Sequence, residues 1–160
     1  MKKFTASIIL ASFMFGCAHV VSDQVRTQAD PGIPVVSLFN NPDSFRGAIV
    51  ILGGIIASSK NTGQGTFLEV VEKPLDYRGR PAKSDQSTGR FIILHEGYLE
   101  TEIYSAGKHV TAAGKVLGKK IQPLGEINYP YVFIKSIELH IVEQGKGLPL
   151  HIGIGLGATF

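Results

Sequence analysis

Residues 47–57, GAIVILGGIIA, constrain this 160-residue chain more than any other stretch. Apart from Leu52 they are β-branched or small, and none carries a polar side chain on either alternation, which reads as a strand. Such a strand must be covered on both faces, or must bend so that its two halves face different layers. The pair Gly53-Gly54 offers the bend, since glycine inside a strand marks a bulge or a barrel corner.

Further strands follow from the same periodicity. After a turn at 58–65, residues 66–73 (TFLEVVEK) return antiparallel, with Leu68 and Val70 on one face and Phe67, Glu69 and Val71 on the other. Residues 74–89 are polar and punctuated by proline and glycine, an exposed Ω-like excursion. A strand resumes at 90–95 (RFIILH). At 99–105 (LETEIYS), Leu99, Ile103 and Tyr104 recur at helical spacing and predict a turn or two of helix. Residues 108–118 alternate, with Val110, Ala112, Gly114 and Val116 inward, and 131–142 (YVFIKSIELHIV) form the last long strand. Residues 35–39 suit a short helix or turn ahead of the Asn40-Asn41-Pro42-Asp43 breaker. The pattern is mainly β: a single OB-like antiparallel barrel with one short helix between the third and fourth strands, the alternative being an open β-sandwich.

The N-terminus sets the expected address. Lys2 and Lys3 precede a weakly polar to apolar run at 4–15, followed by Gly16 and the single cysteine, Cys17. About a dozen residues is too short to span a bilayer, which needs roughly 20, so the segment reads as a signal peptide. A small residue and then cysteine at its end resembles a bacterial lipobox. The expected organisation is a leader at 1–16, a poorly ordered polar tether at 17–34, a β-barrel domain at 35–143, and a glycine-rich strand or tail at 144–160. Without Lys2 and Lys3 the charge of +3 falls to +1, weak grounds for a nucleic-acid partner. Each buried acyl methylene on Cys17 contributes about 0.8 kcal/mol, so stable attachment takes two or three chains.

Little in the sequence promises catalysis. Glu69 and Glu72 fall on opposite strand faces, no G-x-S-x-G occurs, and Ser84, Asp85 and Ser87 lie in the excursion. His95, His109 and His140 are isolated in sequence, so a metal site requires the barrel to bring them together; none is expected. The run 153–157, GIGLG, lacks dinucleotide-loop spacing. A ligand face is the one binding feature suggested, at Tyr77, Arg78, Arg80 and Arg90, with Tyr129 and Tyr131 entering the last strand.

Four runs, 53–76, 88–100, 103–118 and 123–139, together resemble the Slp (starvation-inducible outer-membrane lipoprotein) family over 35–142. The resemblance implies a bacterial outer-membrane lipoprotein, lipid-anchored on the periplasmic side through Cys17. It implies no catalytic residues and no cofactor, and an association with starvation or acid stress. Expected partners are the membrane, through the anchor, and an envelope protein or glycan; nucleic acid is not one.

Overall fold

The computed structural model describes residues 18–144. The expected leader, Cys17 and the glycine-rich stretch beyond Gln144 lie outside the described residues. Five strands carry the fold: β1 (Ile49–Thr62), β2 (Gly65–Glu72), β3 (Arg90–His95), β4 (His109–Leu124) and β5 (Ile127–Val142). They pair in the order β1-β2-β3-β5-β4, and β4 returns to β1, so the sheet closes into the expected OB-like ring. Within this mostly antiparallel ring β3 and β5 run parallel, over 91–94 against 132–135. The Greek-key order forces it, because β4 crosses to lie beside β1 and its hairpin partner β5 then fills the gap next to β3.

β1 shows how a strand apolar on both sides is accommodated. It pairs with β4 through residues 49–55 and with β2 through 54–62, so ring closure runs through its middle. Val50, Leu52 and Ile56 point inward to a core shared with Leu68, Phe91, Val110 and Ile134. Outward, Ile51 packs on Val21, Val25 and Ala113. A β-carbon on Gly53 would meet Leu75 Cδ2 at 2.6 Å and the Val110 carbonyl oxygen at 2.9 Å, and one on Gly54 would collide with the Val71 carbonyl. The glycines therefore permit close approach, while the register break falls between Ile56 and Ser58. The expected turn at 58–65 is also shorter, since β1 continues to Thr62 and reverses through Gly63-Gln64 alone. There Thr62 Oγ1 accepts the Gln64 N–H at 3.2 Å and donates to the Gly65 carbonyl at 2.9 Å. Pairing with β2 overrides the poor strand propensity of Ser58 to Asn61.

The described part of the tether, residues 18–34, is built onto the barrel rather than poorly ordered. It carries α1 (Asp23–Arg26), whose N-cap Ser22 accepts the Val25 N–H at 3.4 Å. Val21, just ahead of the cap, and Val25, within the helix, are buried, and Glu138 of β5 accepts both the Ser22 N–H, at 3.0 Å, and the Ser22 hydroxyl. Two buried valines dock the segment, with Ile33 packing on the core at its end and most of its other side chains exposed, which is why its composition looked unstructured. α2 (Val35–Asn40) and a 3₁₀ turn (Pro42–Phe45) follow, Leu38 entering the core and Phe39 meeting Phe91 edge-on at 6.4 Å.

The helix expected at 99–105 is instead a pair of turns. The N–H groups of Ile103 and Tyr104 both reach the Glu100 carbonyl at 3.0 Å, and Leu99 and Tyr104 pack against the core. So short a stretch, ended by Gly107, cannot offset helix nucleation. The excursion at 74–89 is irregular as expected, with one bridge between Leu75 and Pro81, and lies across the ring where Thr111 Oγ1 donates to the Gly79 carbonyl at 2.7 Å.

Candidate ligand-binding face

The four residues read as one ligand face sit in two places. Tyr77, Arg78 and Arg80 lie in a turn organised by Asp76, whose Oδ1 accepts the N–H groups of Arg78 and Arg80 at 2.8 Å. Tyr77 is 72% exposed, with the Arg78 guanidinium 5.2 Å from its ring centre. Arg90 opens β3 and faces a different set of partners. Its guanidinium pairs with Glu69 at 2.7 Å, and its N–H donates to the Tyr129 hydroxyl at 3.2 Å.

Around Glu69 the outer surface of β2, β3 and β5 forms a structured face. Glu69 Oε1 accepts from Arg90 and, at 2.9 Å, from the Tyr131 hydroxyl, while Oε2 accepts from Ser58 Oγ at 3.2 Å. Through these three donors the carboxylate ties β2 to β1, β3 and β5. Burial, and then Glu69 itself, push the Tyr131 phenol up to about 12, so it remains a donor at any ordinary pH. Tyr129 packs against Tyr131 with ring centres 4.8 Å apart.

Beside this network, Phe67 of β2 and Phe133 of β5 reach across β3 and lay their rings nearly parallel, 9° apart with centres 6.2 Å apart. Lys120 of β4 sets its ammonium 4.4 Å from one ring centre and 4.5 Å from the other. Desolvation lowers the Lys120 ammonium from its ordinary value. Among the described residues no carboxylate forms an ion pair with it; the five ion pairs found there use other cations. Lys60 stands directly opposite Phe67 in the β1–β2 register. Ser58, Lys60, Phe67, Glu69, Lys120 and Gln122 line a shallow groove of about 280 Å³ over this platform. A groove of cations over aromatic faces attracts an anionic group attached to a flat, weakly polar body.

Sequence reasoning reached Arg90, Tyr129 and Tyr131 but missed Lys60, Phe67, Lys120 and Phe133. The outward alternation of Phe67 was legible in TFLEVVEK. Lys120 was not, because it lies in the hairpin extension that carries β4 to Leu124 and starts β5 at Ile127, beyond the bounds the alternation indicated.

His95, His109 and His140 do not converge. His95 Nδ1 is 2.9 Å from Ser136 Oγ, and His140 Nε2 is 3.1 Å from Glu138 Oε2. His109 is lowered by burial and then by the nearby Lys83 and Lys73, surroundings that disfavour a cation. Among the described residues no group of three His, Cys, Asp or Glu side chains stands ready for a metal, and no helix is long and apolar enough to cross a membrane.

Comparison with known proteins adds the lineage. An uncharacterised lipoprotein of Escherichia coli K12, YeaY, is 27% identical over 136 residues, covering 83% of this chain and 69% of that protein. An uncharacterised protein of Haemophilus influenzae Rd is 27% identical over 93 residues, covering 58% of this chain and 50% of that one. Among solved structures, an aspartyl-tRNA synthetase from Leishmania major Friedlin aligns with TM-score 0.43 and 13% identity over 74% of this chain and 24% of its own. A small single-stranded DNA-binding protein from Streptomyces coelicolor aligns with TM-score 0.36 and 15% identity over 61% of this chain and 94% of its own. Neither alignment is close enough to carry an argument about ligands. The model of the outer membrane lipoprotein Slp family matches residues 14–146, and the chain belongs to that family.

Proposed function

We propose that the chain is an acylated lipoprotein of the bacterial outer membrane, attached through Cys17 and facing the periplasm, that acts as a non-enzymatic interaction module of the cell envelope. Family membership and the run ending in Gly16-Cys17 support the anchor. One observation carries the interaction role: the Lys120 ammonium on its two-phenyl platform, with Lys60 beside it and Glu69 already neutralised. A saccharide bearing a carboxylate suits this groove, its C–H face against the rings and its charge against the two lysines. Family resemblance adds starvation or acid stress as the setting.

Calorimetric titration with soluble acidic muramyl saccharides tests the groove, against neutral saccharides of the same size. Acidic saccharides bind more tightly, and Lys120→Ala weakens them about tenfold, near 1.4 kcal/mol. Equal binding by Lys120→Ala and the unaltered protein refutes the groove. For the anchor, palmitate labelling is decisive: a Cys17→Ala protein that kept its label and still fractionated with membranes would overturn it.

A further inference from the structure

The turn Tyr77-Arg78-Gly79-Arg80 lies beside the start of the strap that leads from Cys17. The Val20 N–H donates to the Arg78 carbonyl at 2.9 Å, and a β-carbon on Gly79 would stand 3.8 Å from Val20 Cβ. Three residues of extended chain reach at most about 11 Å, so Cys17 cannot stray far from this turn whatever path it takes. Next to the turn is a recess of about 210 Å³ whose lining includes His19, Arg26, Asp76, Tyr77 and Arg78. Two carboxylates stand close by: Asp23, exposed, pairs with Arg26 at 2.7 Å, and Asp76 Oδ1 accepts the N–H groups of Arg78 and Arg80. Tyr77 and Arg80 are exposed beside it.

We infer that this turn and its recess form a docking surface for the anionic phospholipid headgroups of the membrane that holds the anchor. The inference deepens the lipoprotein reading and rests on acylation of Cys17. A tyrosine with one apolar and one wet end suits the headgroup layer, and arginine suits lipid phosphate in planar hydrogen-bonding geometry. The placement also fits the groove. From Gly53, which the excursion covers, to Lys60 is roughly 23 Å of strand, so the groove and the turn occupy separate places on the barrel.

The chain contains no tryptophan, which permits a single-reporter test. The acylated full chain carrying Tyr77→Trp is reconstituted into phosphatidylethanolamine–phosphatidylglycerol vesicles with brominated acyl chains. Tyr98→Trp, at a site 71% exposed near the β1–β2 turn, serves as the distal control. At position 77 the emission shifts to the blue and is quenched at least about twofold, while position 98 is unaffected. Adding Arg80→Glu to Tyr77→Trp relieves the quenching. Vesicle-bound protein with position 77 as unquenched as position 98 overturns this surface and leaves the anchor standing. Protein that fails to float with vesicles because Cys17 bears no lipid overturns the acylation reading and the surface together.

Discussion

Ser22→Ala isolates the clamp that holds the N-terminal strap to the barrel. The substitution removes one hydroxyl that both donates to Glu138 and caps α1. A hydrogen bond to a charged group contributes about 1.5–3 kcal/mol and a serine cap about 0.5–2 kcal/mol; since one oxygen serves both, the expected loss is about 2 kcal/mol. That raises the open population of the strap roughly thirtyfold. Val21 and Val25 stay buried at about 1.5–3 kcal/mol each, so the strap opens more often without leaving for good. Amide hydrogen exchange reads this at Arg26 and Thr27, whose N–H groups donate to the Ser22 and Asp23 carbonyls at 2.9 and 3.0 Å. Their exchange accelerates about thirtyfold, while amides of the ring, such as that of Ile93, keep their rates. Unchanged exchange in α1 refutes the clamp, and equal acceleration in the ring refutes the strap as a separate unit. The Ser22 hydroxyl, then its N–H, holds the Glu138 carboxyl below its ordinary 4.5. A depressed carboxyl stabilises fully above 4.5 and loses that contribution as pH falls through the lower folded value. The protection of the strap amides in the unaltered protein, taken relative to their intrinsic exchange rates at each pH, therefore falls as pH drops below 4.5, and Ser22→Ala flattens that dependence.

Gly54→Ala forces a β-carbon into the Val71 carbonyl, whereas Gly63→Ala meets nothing within 4 Å. Denaturant unfolding should show Gly54→Ala destabilised by more than about 3 kcal/mol and Gly63→Ala nearly neutral, and equal midpoints would remove the close-approach explanation. Tyr131, raised from 10.0 to about 12, supports the fold fully below 10.0 and loses that support as pH rises through about 12. Ultraviolet titration of the folded protein should show one late tyrosine, absent in Tyr131→Phe; a late phase that persists in the variant contradicts the assignment. Phe91, fully buried, should cost about 3–5 kcal/mol on replacement by alanine. Phe67→Ala, on the outer face, should cost less stability and weaken acidic saccharides in the same titration as Lys120→Ala.

The core strands were legible because burial imprints itself on alternation. Leu68, Val70, Val110, Ala112 and Val116 all lie where period two puts them. What escaped was decided by contacts between segments distant in sequence. Val21 and Val25 are too few to register as a pattern, yet they dock a helix because Ile51 and Ala113 wait for them. The parallel pairing of β3 with β5 depends on where β4 crosses, which no local window contains. The network around Glu69 was half visible: Arg90 and Tyr131 stood out in the sequence, but the glutamate that joins them reads as an ordinary solvated charge until three strands bring their donors to it.

The way the strap is fastened has a mechanical consequence. Its attachments run in series along the chain: Val20 to Arg78, Ser22 to Glu138, the two valines on Ile51 and Ala113, and finally the Asp30 N–H to the Ile49 carbonyl at 2.9 Å. Tension arriving from a lipid-held Cys17 would load these one after another, as a zip opens, before any of it reached the hydrogen bonds that close β1 onto β4. The slack released would let the barrel travel outward from the bilayer with its ring intact.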